Sequence, residues 1–257
     1  MDYTTWMKVN GARERTIHQR EKFRCSRLRE WGTLDVPADQ IKRWLSQYDG
    51  WTRCTYYGHL VSLYDWAVEV GEIPTNLART ITRPRSPKPR PRPLTRDEIN
   101  LALGSATGDL RTHLQLGLLA GLRAHEIAKF AGADITESGI YVIGKGGQGA
   151  MLPTHPDLWA VAQNYPRHGY WFPSERTETG HILPNTVSRR VTAHFRELGI
   201  AGSSHRNRHG YGTLLLRGGA NLRVVQELMR HATLNTTALY LGVDEDEKVA
   251  AIRGLVA

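Results

Sequence analysis

Apolar residues along this chain fall mostly at helical spacing. Tyr56, Leu60, Leu63, Ala67 and Val70 recur every three to four residues, and Gly71 stands where such a helix would stop. Ile41, Trp44, Leu45 and Tyr48 mark another helix, with Pro37 near its start. A third is predicted from about Thr16 to Trp31, with Arg13, Arg20, Arg24 and Arg27 sharing one face beside Ile17 and Leu28. Further along, Thr95-Arg96-Asp97-Glu98 reads as a capping box that opens a helix. Leu110, Leu114 and Leu118 mark the next, ending near Gly121. The pattern then changes. Ile140-Tyr141-Val142-Ile143 is β-rich, Gly144 to Gly149 is a glycine-dense turn, and Ala150-Met151-Leu152 returns, which predicts a β-hairpin with Lys145 at its tip. Tyr170-Trp171-Phe172 reads as a last short strand. Pro184 to Leu198, His205 to Arg217, Asn221 to Met229 and Leu234 to Leu241 read as helices. No internal repeat is present. The expected fold class is mainly α with a small antiparallel β-sheet.

One stretch interrupts these patterns: Arg83-Pro84-Arg85-Ser86-Pro87-Lys88-Pro89-Arg90-Pro91-Arg92-Pro93. Proline at this density excludes helix and favours an extended, polyproline-like strand. It divides the chain into a helical domain over residues 1–81, a basic linker over 82–93, and a mixed domain over 94–257. Two domains fit a length of 257 residues, and 40% hydrophobic with 23% charged residues is ordinary for a globular protein.

Charge sharpens the reading. The formal net charge is +9, and five of those nine charges sit in residues 81–93, which contain no acid. An anionic partner is implied, nucleic acid before others; a solvated basic surface is the bland alternative. A plain spacer does not need five cations. Arg83, Arg85, Lys88, Arg90 and Arg92 are therefore candidate contacts to DNA phosphates. For Arg20, Arg24 and Arg27, phosphate contact and a solvated charged face both fit.

Other classes are excluded. Two cysteines, Cys25 and Cys54, make no disulfide framework and fit a reducing cytoplasm. The N-terminus is no signal peptide, and no apolar run approaches the ~18 residues of a membrane helix. Eleven histidines are dispersed without HExxH or CxxC spacing, so no metal is expected.

Candidate chemistry gathers in the second domain. His205-Arg206-Asn207-Arg208-His209 is followed by His231, twenty-three residues after Arg208, and by Tyr240, nine residues after His231. Upstream lie Gly121-Leu122-Arg123-Ala124-His125-Glu126 and Gly144-Lys145-Gly146. Two guanidinium forks suit one phosphodiester. A tyrosine can serve as covalent nucleophile, and lysine or histidine can move the protons. Each piece alone has a duller reading: Arg123 as a surface residue at a helix start, Lys145 as a solvated hairpin lysine, the His/Arg-rich helix start as a backbone-binding patch, and Tyr240 as the core of an amphipathic helix.

Taken in order, the His-x-x-Arg-His-x-x-Gly-Thr pattern of 205–213 and Thr236-Thr237-Ala238-Leu239-Tyr240 resemble the tyrosine recombinase (phage integrase) family. That resemblance implies a helical core-binding domain and a catalytic domain. It implies Tyr240 as nucleophile, and Arg123 and Arg208 on the scissile phosphate, with Glu126 holding Arg123. It further implies His231 as a hydrogen-bond donor to the phosphate, Lys145 as general acid, and His205 as general base. No cofactor or metal is implied. The implied partners are double-stranded DNA, a homotetramer on that DNA and a directionality factor, in the cytoplasm of a bacterial host, with no membrane. Two departures stand out. Gln148 and Ala150 replace residues that are often basic, and Arg230 replaces the glycine of Leu-Gly-His, which implies a different turn there and offers a further phosphate contact. A dimer-resolving recombinase, a type IB topoisomerase-like enzyme and a non-catalytic DNA-binding regulator are the alternatives. In the tail, Val249, Ile252 and Val256 share a helical face that packs either on its own domain or on a neighbouring subunit.

Overall fold

A computed structural model of the chain describes residues 1–87, 93–144 and 149–230. The chain divides into two compact units, Met1–Pro89 and Arg90–Ala257.

The first unit is helical: α1 (Tyr3–Val9), α2 (Glu14–Trp31), α3 (Ala38–Ser46) and α4 (Gly50–Glu69), then a 3-10 turn at Leu77–Thr80. The Asp2 carboxylate caps α1 by accepting from Thr5 N–H at 2.9 Å, and Gly32 closes α2 in the left-handed region at φ 74. Met7, Ile41, Leu60, Leu63 and Ala67 form the fully buried centre. Tyr64 is buried with them and satisfies its hydroxyl on Leu34 O at 2.8 Å. The expected helices are present; α1 had not been anticipated.

The arginines of α2 do not share one environment. Arg27 is buried, with 7% of its side chain exposed. Its guanidinium lies 4.3 Å from the Trp44 ring centroid and 5.1 Å from that of Trp31, and pairs with Glu30 at 2.8 Å. A weakly hydrated planar cation stacks well on indole, so burial among aromatics outcompetes solvent here. Arg24 is held by Glu21 at 3.0 Å through Nε. The row is therefore not a uniform phosphate-binding stripe.

The second unit contains α5 (Arg96–Ser105), α6 (Gly108–Leu119), α7 (Ala124–Ala128), β1 (Gly139–Ile143), β2 (Gly149–Pro153), α8 (Pro156–Ala162), α9 (Pro184–Glu197), α10 (His205–Arg217) and α11 (Leu222–Leu228). The capping box forms: Glu98 N–H donates to Thr95 Oγ1 at 3.1 Å, and Thr95 N–H to Glu98 Oε2 at 2.8 Å. β1 and β2 pair antiparallel with Tyr141 opposite Met151, and together they are the sheet among the described residues. The fold is mainly α with a small antiparallel sheet. Lys145, expected at the hairpin tip, and the helix expected over Leu234 to Leu241 lie outside the described residues, as does the tail.

Tyr170-Trp171-Phe172 does not join the sheet. Tyr170 makes an isolated bridge to Ala131, and Trp171 and Phe172 are both buried. A strand with one wet face would bury every second residue. Here Trp171 stacks on Tyr165 at 4.4 Å, and Phe172 meets His113 edge-on at 4.4 Å.

α6 packs tightly on α10, and glycine permits the approach. Gly121, at φ 60, has no room for a Cβ, which would stand 2.5 Å from the Tyr211 ring. Gly121 lies in the turn between α6 and α7, two residues before Arg123.

His113 on α6 is 0% exposed, and both of its ring nitrogens lack a hydrogen-bond partner among the described residues. Burial holds its pKa down to about 4, with a smaller contribution from Arg190. The unfolded chain therefore binds a proton below pH ~6.5 that the folded chain refuses until about pH 4. Stability from this ring is complete above ~6.5 and is lost as pH falls towards 4, worth about 3 kcal/mol over the window. Thermal melts of His113→Leu between pH 7 and 4 should show a flatter acid limb than wild type. An unchanged limb would assign the acid sensitivity to other groups.

Candidate active site

Arg123 is the N-cap residue of α7. Its backbone N–H donates to Glu126 Oε2 at 2.7 Å, and its Nη1 donates to Glu126 Oε1 at 3.1 Å. Glu126 sits one turn on, with 1% of its side chain exposed, whereas 27% of the Arg123 side chain is exposed. The buried carboxylate thus fixes a guanidinium whose outer edge meets solvent. This is the pairing expected from the three-residue spacing.

α10 begins at His205 and carries Arg208 three residues later. Arg208 is buried and donates to the carbonyls of Gly121 and Met229. Its neighbour Arg206 points elsewhere: it pairs with Glu98 at 2.9 Å and donates to Pro93 O at 2.9 Å. Arg206 therefore ties the start of α10 to α5, and Arg208 is the one directed at the arginine pocket. A cavity of about 80 Å³ is lined by Arg123, His205 and Arg208, with Asn207 and His113 behind them.

His205 stands edge-on to His209, with ring centroids 5.0 Å apart. Burial, then Arg208 and Arg123, hold its pKa below the ordinary histidine value. Burial also pulls His209 down to about 4, helped by His205, Arg208 and Arg206. An imidazole kept neutral at neutral pH by burial, and further by two nearby cations, can accept a proton. Arg123, His205 and Arg208 thus line one pocket, with Glu126 paired to Arg123. Lys145, His231 and Tyr240 lie outside the described residues.

The turn after α11 differs from an ordinary helix end. Arg230 has φ 52, and among the described residues it is the one non-glycine residue with positive φ. Its side chain turns back to Glu126 at 2.7 Å.

Two basic grooves lie apart from the arginine pair. On α9, Asn185, Ser188, Arg189, Arg190, Thr192 and Arg196 line a groove of about 820 Å³. It holds none of the expected reactive groups. Sequence reading missed it, although three arginines alternate with the buried Val187, Val191 and Phe195. In the first unit, Arg83 and Arg85 line a groove of about 370 Å³ with Lys42 and Arg53. Lys88, Arg90 and Arg92 of the linker lie outside the described residues.

The tyrosine recombinase XerC of Rhodospirillum centenum is 31% identical over 243 residues, which cover 85% of this chain and 71% of that protein. The integrase from mycobacterium phage Brujita is 32% identical, with TM-score 0.54 over 97% of this chain and 89% of that one. A lambda integrase tetramer bound to a Holliday junction shares the fold at 19% identity, with TM-score 0.72 over 90% of this chain and 75% of that one. The phage integrase family model matches residues 93–247, a span that runs from the linker's last proline past every motif from Arg123 to Tyr240. On that match the chain belongs to the phage integrase family, the tyrosine recombinases.

Proposed function

We propose that this chain is the integrase of a phage or other mobile element, cutting and rejoining double-stranded DNA at specific sites through a 3′-phosphotyrosyl intermediate. The observation that carries the reading is the convergence of Arg123, Arg208 and a neutral His205 on one small pocket. Tyr240 attacks the scissile phosphate. Arg123 and Arg208 hold its non-bridging oxygens and stabilise the charge that develops in the transition state. His205 takes the tyrosine proton, His231 donates to the phosphate, and Lys145 protonates the leaving 5′ oxygen. The bond energy stays in the phosphotyrosyl ester, so no nucleotide cofactor enters the cycle.

The grooves on α9 and beside Arg83 and Arg85 suit phosphate backbone. The helical residues 1–81 act as a clamp on DNA, and residues 82–93 as a cationic strap. A homotetramer on DNA is the working assembly, the form in which lambda integrase is seen on a Holliday junction. No helix among the described residues is long and apolar enough to cross a membrane, and the working compartment is the bacterial cytoplasm. The integrase role rests on length-wide similarity to the Brujita integrase, which leaves little of either chain unmatched.

The test is to trap the protein covalently on DNA, sequence what is trapped, and assay exchange between the recovered sites. Exchange between two different sites supports integration. Exchange only between identical sites supports dimer resolution. Relaxation of supercoils without exchange supports topoisomerase action, and binding without an adduct supports a regulator.

The strap has its own readout. Neutralising Arg83, Arg85, Lys88, Arg90 and Arg92 should flatten the slope of log affinity against log salt by up to ~4–5, because each phosphate contact contributes about 0.9 through counterion release. Fluorescence anisotropy across a potassium chloride series measures it. An unchanged slope would show that the strap stays off DNA.

A further inference from the structure

Arg230 is the residue whose presence the family chemistry leaves unexplained. It adopts the left-handed backbone at φ 52, a region that strains any side chain with a Cβ and that glycine enters freely. Its side chain is nevertheless drawn inward, with 11% exposed, to pair with Glu126 Oε2 at 2.7 Å. Glu126 therefore serves two guanidiniums: Arg123 on Oε1 at 3.1 Å and Arg230 on Oε2. Arg230 also reaches Gly121 O at 3.3 Å, the carbonyl that accepts from Arg208. Its own backbone carbonyl accepts from Arg123 Nη2 at 3.5 Å. Arg230 thus stands between the two arginines, touching a partner of each. Its Nε and Nη1 are buried without a hydrogen bond among the described residues.

The charge balance follows. With glycine at 230, Glu126 and Arg123 would cancel, and the field that Arg123 offers a phosphate would be damped by its own anchor. With arginine at 230, one carboxylate faces two cations and the trio carries a net positive charge. The nearby His125, 3.9 Å from Glu126, is held by burial below the ordinary histidine pKa, so it adds no charge at neutral pH.

We propose that Arg230 is a positioning residue that shares the Glu126 carboxylate and so leaves Arg123 with a stronger positive field for the scissile phosphate. This rests on the recombinase reading above.

The test compares the full chain with Arg230→Gly and Arg230→Lys on suicide substrates built from the trapped site. One substrate carries the normal phosphodiester and the other a single methylphosphonate at the scissile position, whose neutral linkage needs less cationic support. Arg230→Gly should cleave the phosphodiester ~10-fold or more slowly, on the scale of one lost electrostatic contact, and the methylphosphonate at close to the wild-type rate. Arg230→Lys, which keeps a cation beside Glu126, should recover part of the phosphodiester rate. Glycine relieves the backbone at φ 52 but loses the buried pair with Glu126, so the melting temperature is followed beside the rates, and the contrast between the two substrates separates the field effect from any loss of stability. Equal slowing on both substrates, or none on either, overturns the proposal while leaving the recombinase reading intact. A wild-type chain that forms no adduct on either substrate overturns both.

Discussion

Replacing Arg208 with alanine should lower the single-turnover cleavage rate by ~10²–10³-fold, the scale on which one preorganised charge-stabilising donor acts in a water-excluded site. The geometry makes the loss hard to offset. Arg208 is buried and held by the Gly121 and Met229 carbonyls, so its fork is fixed before any phosphate arrives. Alanine also removes the Arg208 donor from the Met229 carbonyl and leaves Gly121 O only its bond from Arg230, which costs about 1–3 kcal/mol of stability where a carbonyl stays dry and unpaired. The melting temperature must therefore be followed beside the rate. Arg208→Lys separates the two effects: it keeps a cation but loses the bidentate fork, and should remain well below wild type even where folding is preserved. A lysine variant with wild-type cleavage would remove Arg208 from the phosphate site.

Replacing Tyr240 with phenylalanine should abolish the covalent protein–DNA adduct while leaving affinity for the site nearly unchanged. Only one oxygen is removed. Phenylalanine fills the same volume, so packing is conserved, but no nucleophile remains to form the ester. Gel shifts measure binding, and denaturing gels of a suicide substrate measure the adduct. His205 enters the same assay through pH. Because burial and the flanking arginines depress its pKa, it stays in the proton-accepting form somewhat below the usual histidine range. Adduct formation should therefore persist below pH ~6.5 and fall only as the pH drops through the lowered value.

How far the sequence carries can be judged from particular elements. The long helices α2, α3, α4, α6, α9 and α10 were legible because each repeats its apolar spacing over two or more turns, and α5 because its capping box is a local signal. The hairpin was legible from glycines set between β-rich runs. α1 and α8 were not, since their seven residues show too little apolar period, although the equally short α11 was read from Asn221 to Met229. Tyr170-Trp171-Phe172 misled because β propensity follows side-chain type, whereas these rings were claimed by an aromatic cluster. The packing of Arg27 on Trp44 was not legible either, because a helical face shows where a side chain starts, not which ring it finds. In the site, the Arg123–Glu126 pair was readable because it is local. The approach of Arg208 to Gly121 and Met229, and the turn of Arg230 back to Glu126, join residues about 20 to 110 apart in the chain and could be read only from the folded structure.

The central claim is that Tyr240 becomes esterified to the 3′ end of the cut strand. The most direct measurement is mass spectrometry of the trapped complex after nuclease and trypsin digestion. Cleavage after Arg230 and Lys248 releases residues 231–248, a peptide in which Tyr240 is the one tyrosine. The account predicts a nucleotide mass on this peptide, localised to Tyr240. A nucleotide on a peptide bearing another tyrosine, or on no peptide at all despite efficient strand cleavage, would contradict it.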